Sequence, residues 1–185
     1  MNKNKIGSLL AYISSTIPEI NLRKLIKIVY LIDERSVKTR GLSVTWLDYY
    51  VWEKGPVAPC IYDIKNNGGE FSHFITAEKN YEEKYIIQPI ISLKTSTMQF
   101  SPKELLLIDS ILDEYGHLSA DELTEITPFW NNEYQPSTYM NLDAALGLKG
   151  SPVDGLWFHV GGGYQIREND ICLSPGTGGS PVFFA

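Results

Sequence analysis

The run NLRKLIKIVYLIDERSV at residues 21–37 decides the fold. Leu22, Leu25, Ile26, Val29 and Ile32 recur at helical spacing, and Ile28 and Leu31 widen the apolar stripe. Asn21 stands where a side-chain oxygen caps a first turn, and Gly41 stands where a helix stops. A stripe this wide predicts a central, heavily buried helix. Arg23, Lys24 and Lys27 are assigned to its solvated face. The adjacent Asp33-Glu34 share no helix side, which is poor acid/base geometry, and are read as solvated as well.

The rest of the chain is read outward from this helix. Residues 3–14 predict an earlier helix carrying Ile6, Leu9, Leu10 and Ile13, broken before Pro18. Trp46 to Trp52, rich in aromatic and β-branched residues, predicts a short strand. The segment Lys54-Gly55-Pro56-Val57 reads as a turn that launches a helix over Cys60–Lys65, with Pro59 in its first turn and Asn66 to Gly69 as its stop. Residues 71–98 predict a β-hairpin whose charged run 78–84 is the exposed tip. Ser101-Pro102-Lys103-Glu104 and Ser119-Ala120-Asp121-Glu122 each carry capping-box spacing, predicting helices to Gly116 and to about Ile126. Farther on, Leu142–Leu146 suggests a short helical piece, and Trp157–Ile166 a hairpin turning at Gly161-Gly162-Gly163. The Gly/Pro/Ser-rich tail at 174–181 does not pack by itself, and its apolar ending Val182 to Ala185 suits strand addition or a groove. The expected class is α+β, a mainly helical core with a small antiparallel β-hairpin or sheet. One domain is expected over 1–150, with a C-terminal extension of unclear structure over 151–185.

Composition excludes several function classes. With 43% hydrophobic and 21% charged residues over 185 positions, the chain can bury a real core without staples. A net charge of -6 argues against broad nucleic-acid binding, which needs clustered cations to displace counterions. Cys60 and Cys172 do not form a secreted disulfide framework, and no apolar run has the length of a membrane span, so a cytoplasmic protein is expected. His73, His117 and His159 show no metal-ligand spacing. The triple glycine lacks the Lys-Ser/Thr of a phosphate loop. Cys60, near a helix start, is tested as a nucleophile and read instead as a buried, inert thiol. No catalytic constellation and no cofactor are expected.

Three ordered blocks then carry a resemblance: LRKLIKIVYLIDE at 22–34 with its embedded Tyr30, VWEKGPVAPCIYDIK at 51–65, and FSPKELLLIDSILDEYGHLSADELTEIT at 100–127. Together they span about residues 6–130, and the chain resembles the Panacea domain, the SocA-like antitoxin group. The chain departs from the pattern after the last block, where Thr127 is followed by Pro128-Phe129-Trp130 and the family histidine is missing. The resemblance implies a neutralising module encoded beside a toxin, often in prophage-like regions, whose partner is a cognate toxin protein. The alternatives are a protease adaptor, which the resemblance also allows and which adds a cellular protease as partner, and a phage-associated enzyme using Cys60 or an acidic pair. Neither nucleic acid nor membrane is expected as a partner. The mildly acidic surface suits a basic or membrane-active toxin. Trp46, Tyr50, Trp52, Lys54, Gly55, Pro56, Val57 and Tyr62 are the expected partner-binding residues, because aromatics favoured at interface hot spots crowd this region. Large aromatics are usually buried, so each of those aromatics, like Tyr49 beside them, is a core candidate first.

Overall fold

A computed structural model of the chain describes residues 2–52 and 54–127, and the strand residues 138–139, 157–159 and 163–165. Helix α1 spans Lys3–Thr16 and helix α2 spans Leu22–Arg40. Asn2 caps α1, accepting from the Lys5 N–H at 3.1 Å, and Asn21 caps α2, accepting from the Lys24 N–H at 3.0 Å. Gly41 closes α2 with φ 70°, the left-handed conformation expected of a glycine stop. Every residue from Leu25 to Asp33 is buried, so α2 is the central helix its apolar stripe predicts. That burial corrects the assignment of Lys27 and Asp33 to a solvated face.

Strand β1 (Tyr50–Trp52) pairs antiparallel with β2 (Gly55–Val57), with Tyr50 opposite Val57 and Trp52 opposite Gly55. On its other side β1 pairs with β5 (Thr138–Tyr139). Two expectations change here. The strand starts only at Tyr50, because residues 43–49 wrap around Asp33 and Trp46 takes φ 56°. Gly55-Pro56-Val57 is a strand rather than a helix-launching turn. As an edge strand it tolerates Pro56, whose missing N–H costs no ladder bond. The helix follows one residue later: α3 covers Pro59–Tyr62, with Pro59 in the first turn, and tightens to a 3-10 turn over Asp63–Lys65.

The expected hairpin is formed by β3 (Ile75–Lys79) and β4 (Tyr85–Pro89), with Lys79 opposite Tyr85. Its tip is held by Asn80, whose side chain accepts from the Glu82 and Lys84 N–H groups. The hairpin docks on the link before α2, where the Ile87 N–H donates to the Ile20 carbonyl at 2.9 Å. Residues 93–97, placed in that hairpin from sequence, instead form helix α4 (Leu93–Thr97), capped by Ser92 and packed on α1.

Both capping boxes are present. Helix α5 spans Pro102–Tyr115 behind Ser101 and Glu104, and α6 spans Ala120–Ile126 behind Ser119 and Glu122. Both pack on α2. Polar ties pin the layers: Tyr12 Oη donates to Asp109 at 2.5 Å, Lys5 pairs with Glu104 at 2.6 Å, and Arg35 pairs with Glu114 at 2.9 Å. Strand β6 (Trp157–His159) pairs with β7 (Gly163–Gln165), so Gly163 belongs to a strand. Residues 160–162, the expected helical piece at 142–146 and the tail from 166 lie outside the described residues. The molecule is α+β, with a helical core and small antiparallel sheets.

Candidate functional site

A groove of about 890 Å³ opens where four parts of the chain meet. Its walls are the α1–α2 link with the first turns of α2, the β1–β2 hairpin with Tyr62, the β3–β4 tip at 83–85, and the α5–α6 link at 117–122. Of the residues singled out from sequence, Trp52, Lys54, Val57 and Tyr62 line it. The Trp52 and Tyr62 rings meet edge to face with centroids 4.8 Å apart, and Lys65 Nζ lies 3.8 Å from the Tyr62 ring centre. Gly55 and Pro56 are buried in β2 behind this wall. Trp46 and Tyr50 lie off the groove: Trp46 is exposed in the loop before β1, Tyr50 is half-buried in β1, and Tyr49 between them is core.

The glycine of the Lys-Gly-Pro-Val element answers to a buried lysine. Lys27, 1% exposed, donates from Nζ to the Lys54 carbonyl. A Cβ on Gly55 would stand 2.5 Å from that Nζ and 3.4 Å from Thr127 Oγ1, and Gly55 also holds φ 95°. The α2 block, the Gly-Pro-Val block and Thr127 of the last block therefore converge on one point. Burial pulls the Lys27 ammonium down to about 8, with nearby Arg23 adding to the effect. Lys24 is lowered by burial too, and donates from Nζ to the Gly116 carbonyl at 2.6 Å. Arg23 pairs with Asp121. Sequence reasoning missed this cluster by giving these three cations a solvated face. The signal lay in the width of the apolar stripe, which leaves no such face at Lys27.

Asp33 was missed for the same reason. Its buried carboxylate accepts from Ser43 Oγ at 2.7 Å, the Val44 N–H at 2.9 Å, the Thr45 N–H at 3.0 Å, Thr45 Oγ1, and Tyr49 Oη at 2.8 Å. Burial pushes its pKa up while these donors pull it back. The clamp fixes the loop that presents Trp46. Tyr30 packs edge to face on Tyr49, centroids 5.4 Å apart, and its buried hydroxyl meets no partner among the described residues.

Burial, with Glu70 adding, raises the Cys60 thiol to about 12, so it is a thiol and not a nucleophilic thiolate at neutral pH. Among the described residues, no three His, Cys, Asp or Glu side chains gather as a metal site, and no helix is long and apolar enough to cross a membrane.

The family model described as "Antitoxin SocA-like, Panacea domain" matches residues 25–131, more than half of the chain. No curated protein and no solved structure matches.

Proposed function

Since the chain belongs to the Panacea-domain family of SocA-like antitoxins, we propose that it binds a cognate toxin protein at the groove and neutralises it, with residues 1–150 as the neutralising module and 151–185 as an appendage. The observation that carries this reading is the Trp52–Tyr62 pair, an aromatic anchor on the groove wall within the family-matched segment. Lys54 and Val57 complete that wall, with Gly55 and Pro56 setting its backbone. Trp46 and Tyr50 extend the surface beyond the groove. Burying one large aromatic at a hot spot contributes on the order of 2 kcal/mol or more.

The test is co-expression with the product of the neighbouring gene, scored by growth rescue and by pull-down. Rescue and a complex are expected from the wild type, with both weakened by Trp52→Ala or Tyr62→Ala. No rescue and no complex with any neighbour's product overturns the reading. Toxin half-life, measured with and without the cell's proteases, separates sequestration from adaptor-type delivery.

A further inference from the structure

We infer that the groove seats an acidic peptide segment of the partner, its carboxylate meeting Lys24 and Lys27 and a neighbouring apolar side chain lying against Trp52 and Tyr62. The inference deepens the toxin-binding reading and rests on it for the partner's identity, but its chemistry stands on the groove alone.

The charges around the groove are unevenly satisfied. Lys24 and Lys27 project from successive turns of α2 into one space, and each ammonium is anchored by a backbone carbonyl rather than a carboxylate. An ammonium carries three N–H donors. For Lys27 the Lys54 carbonyl is the single acceptor among the described residues, although the side chain is almost wholly buried. Most acidic residues of the groove hold other partners. Asp121 holds Arg23, Glu83 holds Lys79 at 2.5 Å, and Glu122 accepts from the Ser119 N–H at 2.7 Å. Glu122 also attracts the Lys24 ammonium through space, whereas no carboxylate among the described residues pairs with Lys27. A buried cation without a counter-anion is costly, and a carboxylate brought by a partner supplies charge-assisted hydrogen bonds where solvent competes least. The lowered pKa of Lys27, caused by burial and by Arg23, agrees with a site lacking its anion, while at Lys24 Glu122 opposes the lowering that burial causes. A molecule whose net charge is -6 thus holds a local cationic floor, and complementarity selects an acidic segment for that floor.

The test pans a random 12-residue phage-displayed peptide library against the full chain. Synthetic copies of the selected peptides are then measured by fluorescence anisotropy. Selected peptides should carry Asp or Glu beside an aromatic or aliphatic residue. Replacing that Glu by Gln should weaken binding at least tenfold, as should Lys24→Gln or Lys27→Met in the protein. Lys24→Gln, at a half-buried position, keeps the test valid if Lys27→Met does not fold. Selection of no peptide, selection without acidic enrichment, or affinity changed less than twofold by Lys24→Gln overturns the inference. Growth rescue is scored in parallel. A chain that rescues growth but selects no acidic peptide loses this inference and keeps the neutralising role. A chain that selects acidic peptides but rescues no growth keeps the groove chemistry and loses the role.

Discussion

Asp33→Ala removes the acceptor on which a whole loop hangs. Five donors converge on that carboxylate, and two of them are buried backbone N–H groups that cannot turn toward water: that of Val44, which has no second acceptor among the described residues, and that of Thr45, whose other acceptor is Ser43 Oγ at 3.2 Å. Each buried N–H left without an acceptor costs about 1–3 kcal/mol. The hydroxyls of Ser43, Thr45 and Tyr49 can rotate to other acceptors, and losing the carboxylate also removes its desolvation cost. The expected net loss is about 3–5 kcal/mol, against a stability on the order of 5–15 kcal/mol for a domain of ordinary size. With a urea m-value of roughly 2 kcal/mol/M, the midpoint should fall by about 1.5–2.5 M. Asp33→Asn keeps one oxygen for the two N–H groups and offers its amide to the hydroxyls, so its loss should be about 1–2 kcal/mol. Urea unfolding followed by circular dichroism and by tryptophan fluorescence reads both variants, the latter because the clamp positions Trp46. A midpoint for Asp33→Ala within about 0.3 M of wild type at unchanged m, or equal losses for Ala and Asn, refutes the clamp.

Further outcomes can be measured on the same footing. Lys27 titrates near 8 in the folded chain against 10.5 ordinarily, so the unfolded chain binds more protons between those values. Its contribution is therefore fully adverse below pH 8 and relieved as pH rises toward 10.5. Cys60 and Tyr12, both raised to about 12, act in the opposite sense at high pH. The readout is thus the wild-type minus Lys27→Met difference in stability, which should move in favour of the wild type by about 3 kcal/mol across that window; a flat difference contradicts it. Gly55→Ala should cost about 3 kcal/mol or more, because φ is 95° and the new Cβ meets Lys27 Nζ, whereas Gly41→Ala, with φ 70° and open space around it, should cost only about 1 kcal/mol. Equal losses in urea unfolding would show that Lys27 does not constrain the turn. Tyr30→Phe should leave stability within about 1 kcal/mol of wild type or raise it, since the hydroxyl removed is buried and unpartnered among the described residues; a large loss would reveal an acceptor for it.

The parts of the fold legible in the sequence are those fixed by local chemistry. Asn21, Ser101 and Ser119 announce helix starts because a cap is made within four residues, and Gly41 announces a stop for the same reason. Gly55-Pro56-Val57 was misread because its conformation is decided by pairing with β1, and Pro56 is acceptable only at an edge that the sequence does not display. Lys27 and Asp33 look like surface charges until the acceptors and donors that satisfy them arrive from residues 43–54. The groove was half legible. Its aromatic wall is one continuous stretch, while the opposing walls come from 83–85 and 117–122, which no local pattern joins to it.

The central helix α2 is complete by Arg40, but the surfaces that cover it arrive late: Ile87 from the hairpin, Ile108 to Leu112 from α5, and Leu123 from α6. On a ribosome adding ~5–20 residues per second, the roughly 80 residues separating Arg40 from Leu123 take ~4–16 s to synthesise. Throughout that interval the apolar stripe of α2 is covered only in part, by α1 and by the segments already made. Chaperones, proteases and other nascent chains compete for the rest of that stripe before its later partners exist. The supply of active protein is thereby set by how many chains survive those seconds of translation as well as by how many are begun.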